Sequence, residues 1–242
     1  MIFLTGDTHY EFSRFNHDHI KLLNHGFDKS RDYMIVCGDF GLIWANSEIN
    51  PRELKIKKWL DEKPWITLFL DGNHENFERI NALPDVEMFG GIVGKYSDSI
   101  FHLKRGEYYT IDGNTFFVMG GGVSIDKQWR RDRISWWQEE MPSAVEYSHA
   151  LETLKKCNNE VDYVLTHTAP DHIREKILED VVNLATDLPF KGRDQLSAFL
   201  DMIVKDGLKF KHWYYGHYHN PKTIYDGNYY TCLYENIVRL GE

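Results

Sequence analysis

Short apolar runs punctuate the chain, and each stops at a polar cluster: IFLT before GDTH, YMIVC before GDFG, WITLFL before DGNHE, VDYVL before THTAP and HWYY before GHYH. Short β-rich runs bounded by glycine and turn residues have the pattern of central strands covered on both faces. Between them lie helices with readable ends. Asn50, Pro51 and Glu53 open LKIKKWL with an N-cap, a proline at the first helical position and an acid at the third. Ser143 and Glu146 form an S-x-x-E start ahead of Ala150, Leu151 and Leu154, while Leu196, Phe199, Leu200 and Ile203 recur at helical spacing and stop before Gly207, a C-cap. Strands alternating with helices predict an α/β fold.

Residues 86–119 differ: short alternating strands with turns expected at Gly90, Gly91, Gly106, Asp112 and Gly113, including a hairpin in TIDGNTFFVM. The tail KTIYDGNYYTCLYENIVRL repeats the strand, Asp-Gly turn, strand pattern. Two packed sheets with helices outside are predicted, in one domain spanning 1–242.

The 242 residues, 42% hydrophobic and 14% aromatic, can bury a sizeable core, and no apolar run approaches the ~20 residues a bilayer span needs. MIFLTGDTH carries no basic leader or cleavage pattern, so no signal peptide and a cytoplasmic location are expected. Cys37, Cys157 and Cys232 lie far apart without a CxxC pair, which suits structural or free thiols. A formal charge of −9 disfavours a sequence-independent grip on a long phosphate backbone, though not a phosphate held through metal.

The strand ends carry Asp7, His9, Asp39, Asn73, His74, His167, His217 and His219, all metal ligands or proton carriers by type. Loops at the carboxyl ends of strands are where open α/β sheets bind ligands. In an extended D-x-H pair the two side chains share a face, so Asp7 and His9 are expected to grip one ion, and the same geometry is expected of His217 and His219. Asp39 can bridge two cations with its two oxygens, and Asn73 offers a neutral carbonyl. Nitrogen and oxygen ligation without thiolate suits Mn2+, Fe, Zn2+ or Ni2+; manganese is the working expectation.

Taken together, GDTH, GDFG, GNHE, THT and GHYH resemble, in order, the signature of the calcineurin-like metallophosphoesterase superfamily: D-x-H, G-D, G-N-H-[ED], a lone His after a strand, and G-H-x-H. Each element alone is weak, and a strand-end polar residue taken singly is better explained as a turn cap; five in order from residue 6 to residue 219 are specific. The resemblance implies a four-layer αββα fold and two metal sites, Asp7, His9, Asp39 and His219 holding one ion and Asp39, Asn73, His167 and His217 the other. It leaves His74 free of metal to stabilise phosphoryl oxygens or protonate the leaving group, and places Glu75 behind a neighbour. Two divalent ions then imply a bridging hydroxide attacking a phosphomonoester or phosphodiester in line, with inversion at phosphorus.

Other histidines receive no role. His17 and His19 sit in a helical context where positions two apart diverge, and His25, His102, His149, His172 and His212 lack a chemical setting. The stretch 120–143, GGGVSIDKQWRRDRISWWQEEMPS, is similar to one in bacterial and phage metallophosphoesterases of unassigned substrate. It divides evenly between a substrate loop, with Arg130 on phosphate and Asp126 positioning it, and an insertion whose tryptophans pack on the domain. GDFGLIW lacks the arginine of the G-D-x-x-D-R-G motif of Ser/Thr protein phosphatases, which argues against that alternative. A catalytically silent metal-binding scaffold is the other, disfavoured because every ligand and His74 are present. The expected partner is a phosphorylated substrate, tilted toward a nucleotide or nucleic-acid end, with no membrane and no obligate protein partner.

Overall fold

The computed structural model describes residues 1–45, 50–182 and 194–241. Two mixed sheets face one another. The first contains β1 (Ile2–Thr5), β2 (Tyr33–Cys37), β3 (Ile66–Leu70), β4 (Asp85–Met88), β5 (Gly91–Lys95), β6 (Ile100–Leu103) and β13 (Val238–Arg239), in the order β13-β1-β2-β3-β6-β5-β4. The second contains β7 (Tyr108–Ile111), β8 (Asn114–Met119), β9 (Tyr163–Thr166), β10 (His212–Tyr215), β11 (Lys222–Asp226) and β12 (Asn228–Cys232), in the order β11-β12-β10-β9-β8-β7. Parallel strands form each centre, β1-β2-β3-β6 in one and β8-β9-β10-β12 in the other, with antiparallel strands at the margins.

The runs are apolar throughout because alternate residues serve two interfaces. Leu4, Ile35, Leu68 and Leu70 meet Phe116, Val118, Leu165 and Tyr214 between the sheets. On the opposite face of the first sheet, Phe3, Met34, Val36 and Phe69 pack with Leu60 of α2 (Pro51–Asp61) and Ile80 of α3 (Phe77–Asn81). On the far face of the second, Phe117, Val164, Trp213 and Tyr215 pack with α4 (Ala144–Lys156), α5 (Asp171–Val182) and α6 (Gln195–Lys205). The four layers are therefore αββα.

The expected caps form. Asn50 Oδ1 accepts from the Glu53 amide at 2.7 Å, Ser143 and Glu146 make a reciprocal capping box, and Gly207, at φ +92°, follows α6. The Glu53 carboxylate itself turns inward, to Arg79 at 2.6 and 2.7 Å and the Tyr96 hydroxyl at 2.7 Å. His17 and His19 fall in the short helix α1 (His17–Lys21), as read. One turn was misplaced: the β4–β5 reversal uses Phe89 and Gly90, both at positive φ, and Gly91 opens β5. A side chain at Gly91 would press on Glu107, Tyr108 and Tyr109, so glycine there serves close packing rather than the turn. Among the described residues no helix is long and apolar enough to cross a membrane.

Candidate metal centre

Asp7, His9 and Asp39 follow β1 and β2, Asn73 and His74 follow β3, and His167, His217 and His219 follow β9 and β10, so both sheets deliver side chains to one edge of the sandwich. The backbone there is not extended. Asp7, His9, Asp39, His217 and His219 all have φ between 43° and 71°, a left-handed conformation that costs roughly 1–3 kcal/mol at a non-glycine residue and persists where the surroundings over-determine it. This corrects the expectation that a pleated backbone aligns each D-x-H and H-x-H pair. Asp7 and His9 do converge, but through left-handed turns, and His217 and His219 diverge into different clusters.

In the first cluster, His9 Nε2 and His219 Nε2 lie 3.0 Å apart, with Asp7 Oδ1 at 3.9 and 3.3 Å from them. In the second, Asn73 Oδ1 lies 3.0 Å from His167 Nε2 and 2.9 Å from His217 Nδ1. Asp39 stands between the two: Oδ2 is 3.6 Å from His9 Nε2 and Oδ1 is 3.5 Å from His167 Nε2. Six side chains are thus shared out three to a cluster around a seventh, in the two sets that the motif order implied.

The surrounding contacts aim these atoms. The His167 Nδ1 edge contacts the Cys37 carbonyl at 3.0 Å, which leaves Nε2 facing the cluster. Asn73 Nδ2 donates to Ser124 Oγ at 3.1 Å, which turns its carbonyl oxygen toward His167 and His217. The His217 amide donates to the Asp7 carboxylate at 3.0 and 3.1 Å, and the His74 amide to Asp39 Oδ1 at 2.8 Å. Glu75, fully buried, accepts from the Phe40 amide at 2.7 Å and so holds the loop that presents Asp39. Gly72 and Gly38 allow this crowding, since a Cβ on either would overlap Asp39 or His167.

The electrostatics fit a cation site. Burial opposes charge on Asp39, yet His167, His74 and His9 around it hold its carboxyl well below the ordinary range. Burial, with His167 adding to it, pushes His217 down to about 3 and leaves a neutral ring with a lone pair to offer. Burial lowers His74 as well, against the pull of Asp39. Convergent imidazole nitrogens, carboxylates and one amide oxygen, without sulfur, form a donor set matched to a borderline or hard divalent ion.

Residues 1–221 match the family model of the calcineurin-like phosphoesterases. The chain belongs to this family. Among solved structures it is similar to a phosphopantetheinyl hydrolase from Mycobacterium tuberculosis, at 14% identity and TM-score 0.46 over 96% of this chain and 89% of that one. It is also similar to a Staphylococcus aureus protein assigned as a 5'-nucleotidase, at 14% identity and TM-score 0.48 over 98% of this chain and 49% of that one. No curated protein matches it. Membership of the calcineurin-like phosphoesterases makes metal-dependent phosphoester hydrolysis the general activity.

The 120–143 stretch of this phosphoesterase divides its work. Trp137 is buried against Trp44, Lys127 covers Trp136 at 3.9 Å, and Arg133 pairs with Glu78 and Glu139, so much of the stretch packs. Trp129 is 76% exposed. Arg130 grips Asp126 through two bonds of 2.6 Å and brings Nη2 to 3.4 Å from His74 Nε2, at the wall of a cavity of about 630 Å3 that His9 and His219 also line.

Sequence reading missed the supports. Asp71, beside the GNHE motif, is buried and bound by Arg105 at 2.6 and 2.8 Å and by His102 at 2.9 Å, and Arg105 continues to the Glu139 carbonyl at 2.9 Å. His102 therefore does have a structural role. Arg14 donates to Thr5 Oγ1, Gly6 O and Tyr234 O, tying the turn before Asp7 to the chain after β12. The acid in LDGNHE, two residues before a ligand, was the available signal for the first; none marked Arg14.

Proposed function

We propose that the chain hydrolyses phosphoesters using two divalent cations, one held by Asp7, His9, Asp39 and His219 and the other by Asp39, Asn73, His167 and His217. The observation that carries this reading is the place of Asp39, with one carboxylate oxygen toward each cluster. Bound there, such ions supply Lewis acidity toward phosphoryl oxygens and a nucleophile drawn from water near neutral pH.

The chain's own groups supply the rest. His74 stands beside the clusters with its amide fixed on Asp39 and Nε2 facing Arg130, so it can donate to a phosphoryl oxygen or hand a proton to the leaving oxygen. Its Nδ1 is buried and makes no hydrogen bond among the described residues, which leaves the ring free to respond to a ligand. Arg130, held by Asp126, presents a guanidinium edge to phosphate. The GDFG loop brings no arginine of its own, and Arg130 places that charge beside His74 from a different loop. The substrate class is a nucleotide or nucleic-acid end, supported by the planar Trp44 and Tyr10 that line the larger cavity with Arg52.

The test is turnover of p-nitrophenyl phosphate and bis-p-nitrophenyl phosphate with Mn2+, Fe2+, Zn2+ or Ni2+ added in turn. At least one ester is hydrolysed, and His74→Ala loses that turnover while keeping its metal. No turnover with any ion, together with tight binding of a partner, would favour a scaffold instead.

A further inference from the structure

Two cavities meet at the metal centre. The larger, about 630 Å3, is walled by Tyr10, Leu42, Trp44, Arg52 and Arg130. The smaller, about 290 Å3, is walled by Val123, Ile125, Ile177, Leu178 and Tyr218, with Asp126 among them. His74 and His219 line both, so a phosphorus atom held against the clusters looks into a cavity on either side. Building on the hydrolase reading above, we infer that the substrate is a phosphodiester, one organic substituent entering the aromatic cavity and the other the smaller apolar one.

Two independent features separate this from a monoester. A monoester dianion has three charged oxygens and a single substituent, so one oxygen would face Val123, Ile125 and Ile177, which offer no donor; an anionic oxygen against apolar walls is strongly disfavoured. A diester puts carbon there instead. The second feature is charge. Asp126 occupies Arg130 through two short bonds and itself lines the smaller cavity, so the pair is net neutral and its carboxylate repels a second phosphoryl charge. A diester monoanion is served by that arrangement and a dianion is not. The larger cavity suits a planar substituent, with Trp44 and Tyr10 as faces and the Arg52 guanidinium 5.0 Å above the Tyr10 ring.

The experiment fills the smaller cavity. Ile125 is 41% exposed on its loop, so Ile125→Trp adds bulk at the cavity wall without opening the core; Val123→Phe is the second variant. Each should lower the ratio of kcat/KM for bis-p-nitrophenyl phosphate to that for p-nitrophenyl phosphate by about tenfold or more, the scale on which an occluded subsite discriminates. Asp126→Asn should move the same ratio toward the monoester. A binding readout runs alongside: diphenylphosphinate and phenylphosphonate, whose carbon–phosphorus bonds this chemistry leaves intact, are titrated into metal-loaded protein. Ile125→Trp should weaken the two-substituent ligand far more than the one-substituent ligand. Wild-type protein that hydrolyses the monoester and leaves the diester, or ratios and affinities unchanged in both filled variants, would overturn the diester assignment while leaving the hydrolase intact. Failure to turn over either ester would remove the hydrolase reading and this one with it.

Discussion

The two ligand clusters share Asp39 but live in different surroundings. His167 is 0% exposed and Asn73 is buried, each held from behind by a hydrogen-bonding partner, Cys37 O and Ser124 respectively. His9 and His219 are 34% and 43% exposed and open onto the larger cavity, supported by left-handed backbone and by stacking of His219 on Tyr234 at 4.4 Å. The inner cluster is oriented by burial, and the outer one is left accessible. A cation at the inner set should exchange slowly, and one at the outer set should exchange readily and meet substrate first.

The comparison breaks most completely at the residue common to both. Asp39→Ala should take ester hydrolysis to background and lower the bound metal, read as initial rate and metal content together. The support behind the inner cluster comes next. Asp71→Asn leaves Arg105 without its buried partner and should destabilise the protein by roughly 3–5 kcal/mol in urea unfolding at pH 7. Burial pushes the Asp71 carboxyl up, but Arg105 and His102 outweigh it and hold it at about 2. A carboxyl depressed in the folded state stabilises above its unfolded pKa, near 4, and that contribution is lost as pH falls through 2. Wild type should therefore lose stability across that window more steeply than Asp71→Asn.

A chelator sharpens the contrast. Added to metal-loaded protein it should withdraw the ions in two phases, the outer one about 10–100-fold faster. His219→Ala should abolish the fast phase and His167→Ala the slow one. Arg130→Ala should raise KM about 10–100-fold, the scale of a lost hydrogen bond to a charged group; unchanged KM and kcat would return the 120–143 stretch to a packing role. The smallest effect belongs to Ser124→Ala, which frees the Asn73 amide to rotate and should weaken the inner ion by about tenfold in a metal titration.

The architecture was legible in the sequence because its information is local. Apolar runs such as YMIVC and WITLFL serve two interfaces at once and read as central strands, and the caps at Asn50, Ser143 and Gly207 stand in plain order. The candidate ligands were legible for the same reason, each lying at the end of such a run. What was not legible depends on chain segments meeting across long separations. Arg105 reaches back to Asp71 and forward to Glu139, and Arg14 reaches Tyr234; no spacing announces such pairs. The left-handed turns at Asp7, His9, His217 and His219 were hidden too, since these residue types adopt extended backbone elsewhere at no cost and take positive φ here only because the surroundings compel it.

Anomalous diffraction from crystals of the protein reconstituted with Mn2+ addresses the centre most directly. Two peaks should lie about 3.5–4 Å apart, one on either side of the Asp39 carboxylate, with His9 and His219 at one and Asn73, His167 and His217 at the other. A single peak, peaks remote from Asp39, or none in fully reconstituted protein would contradict the account.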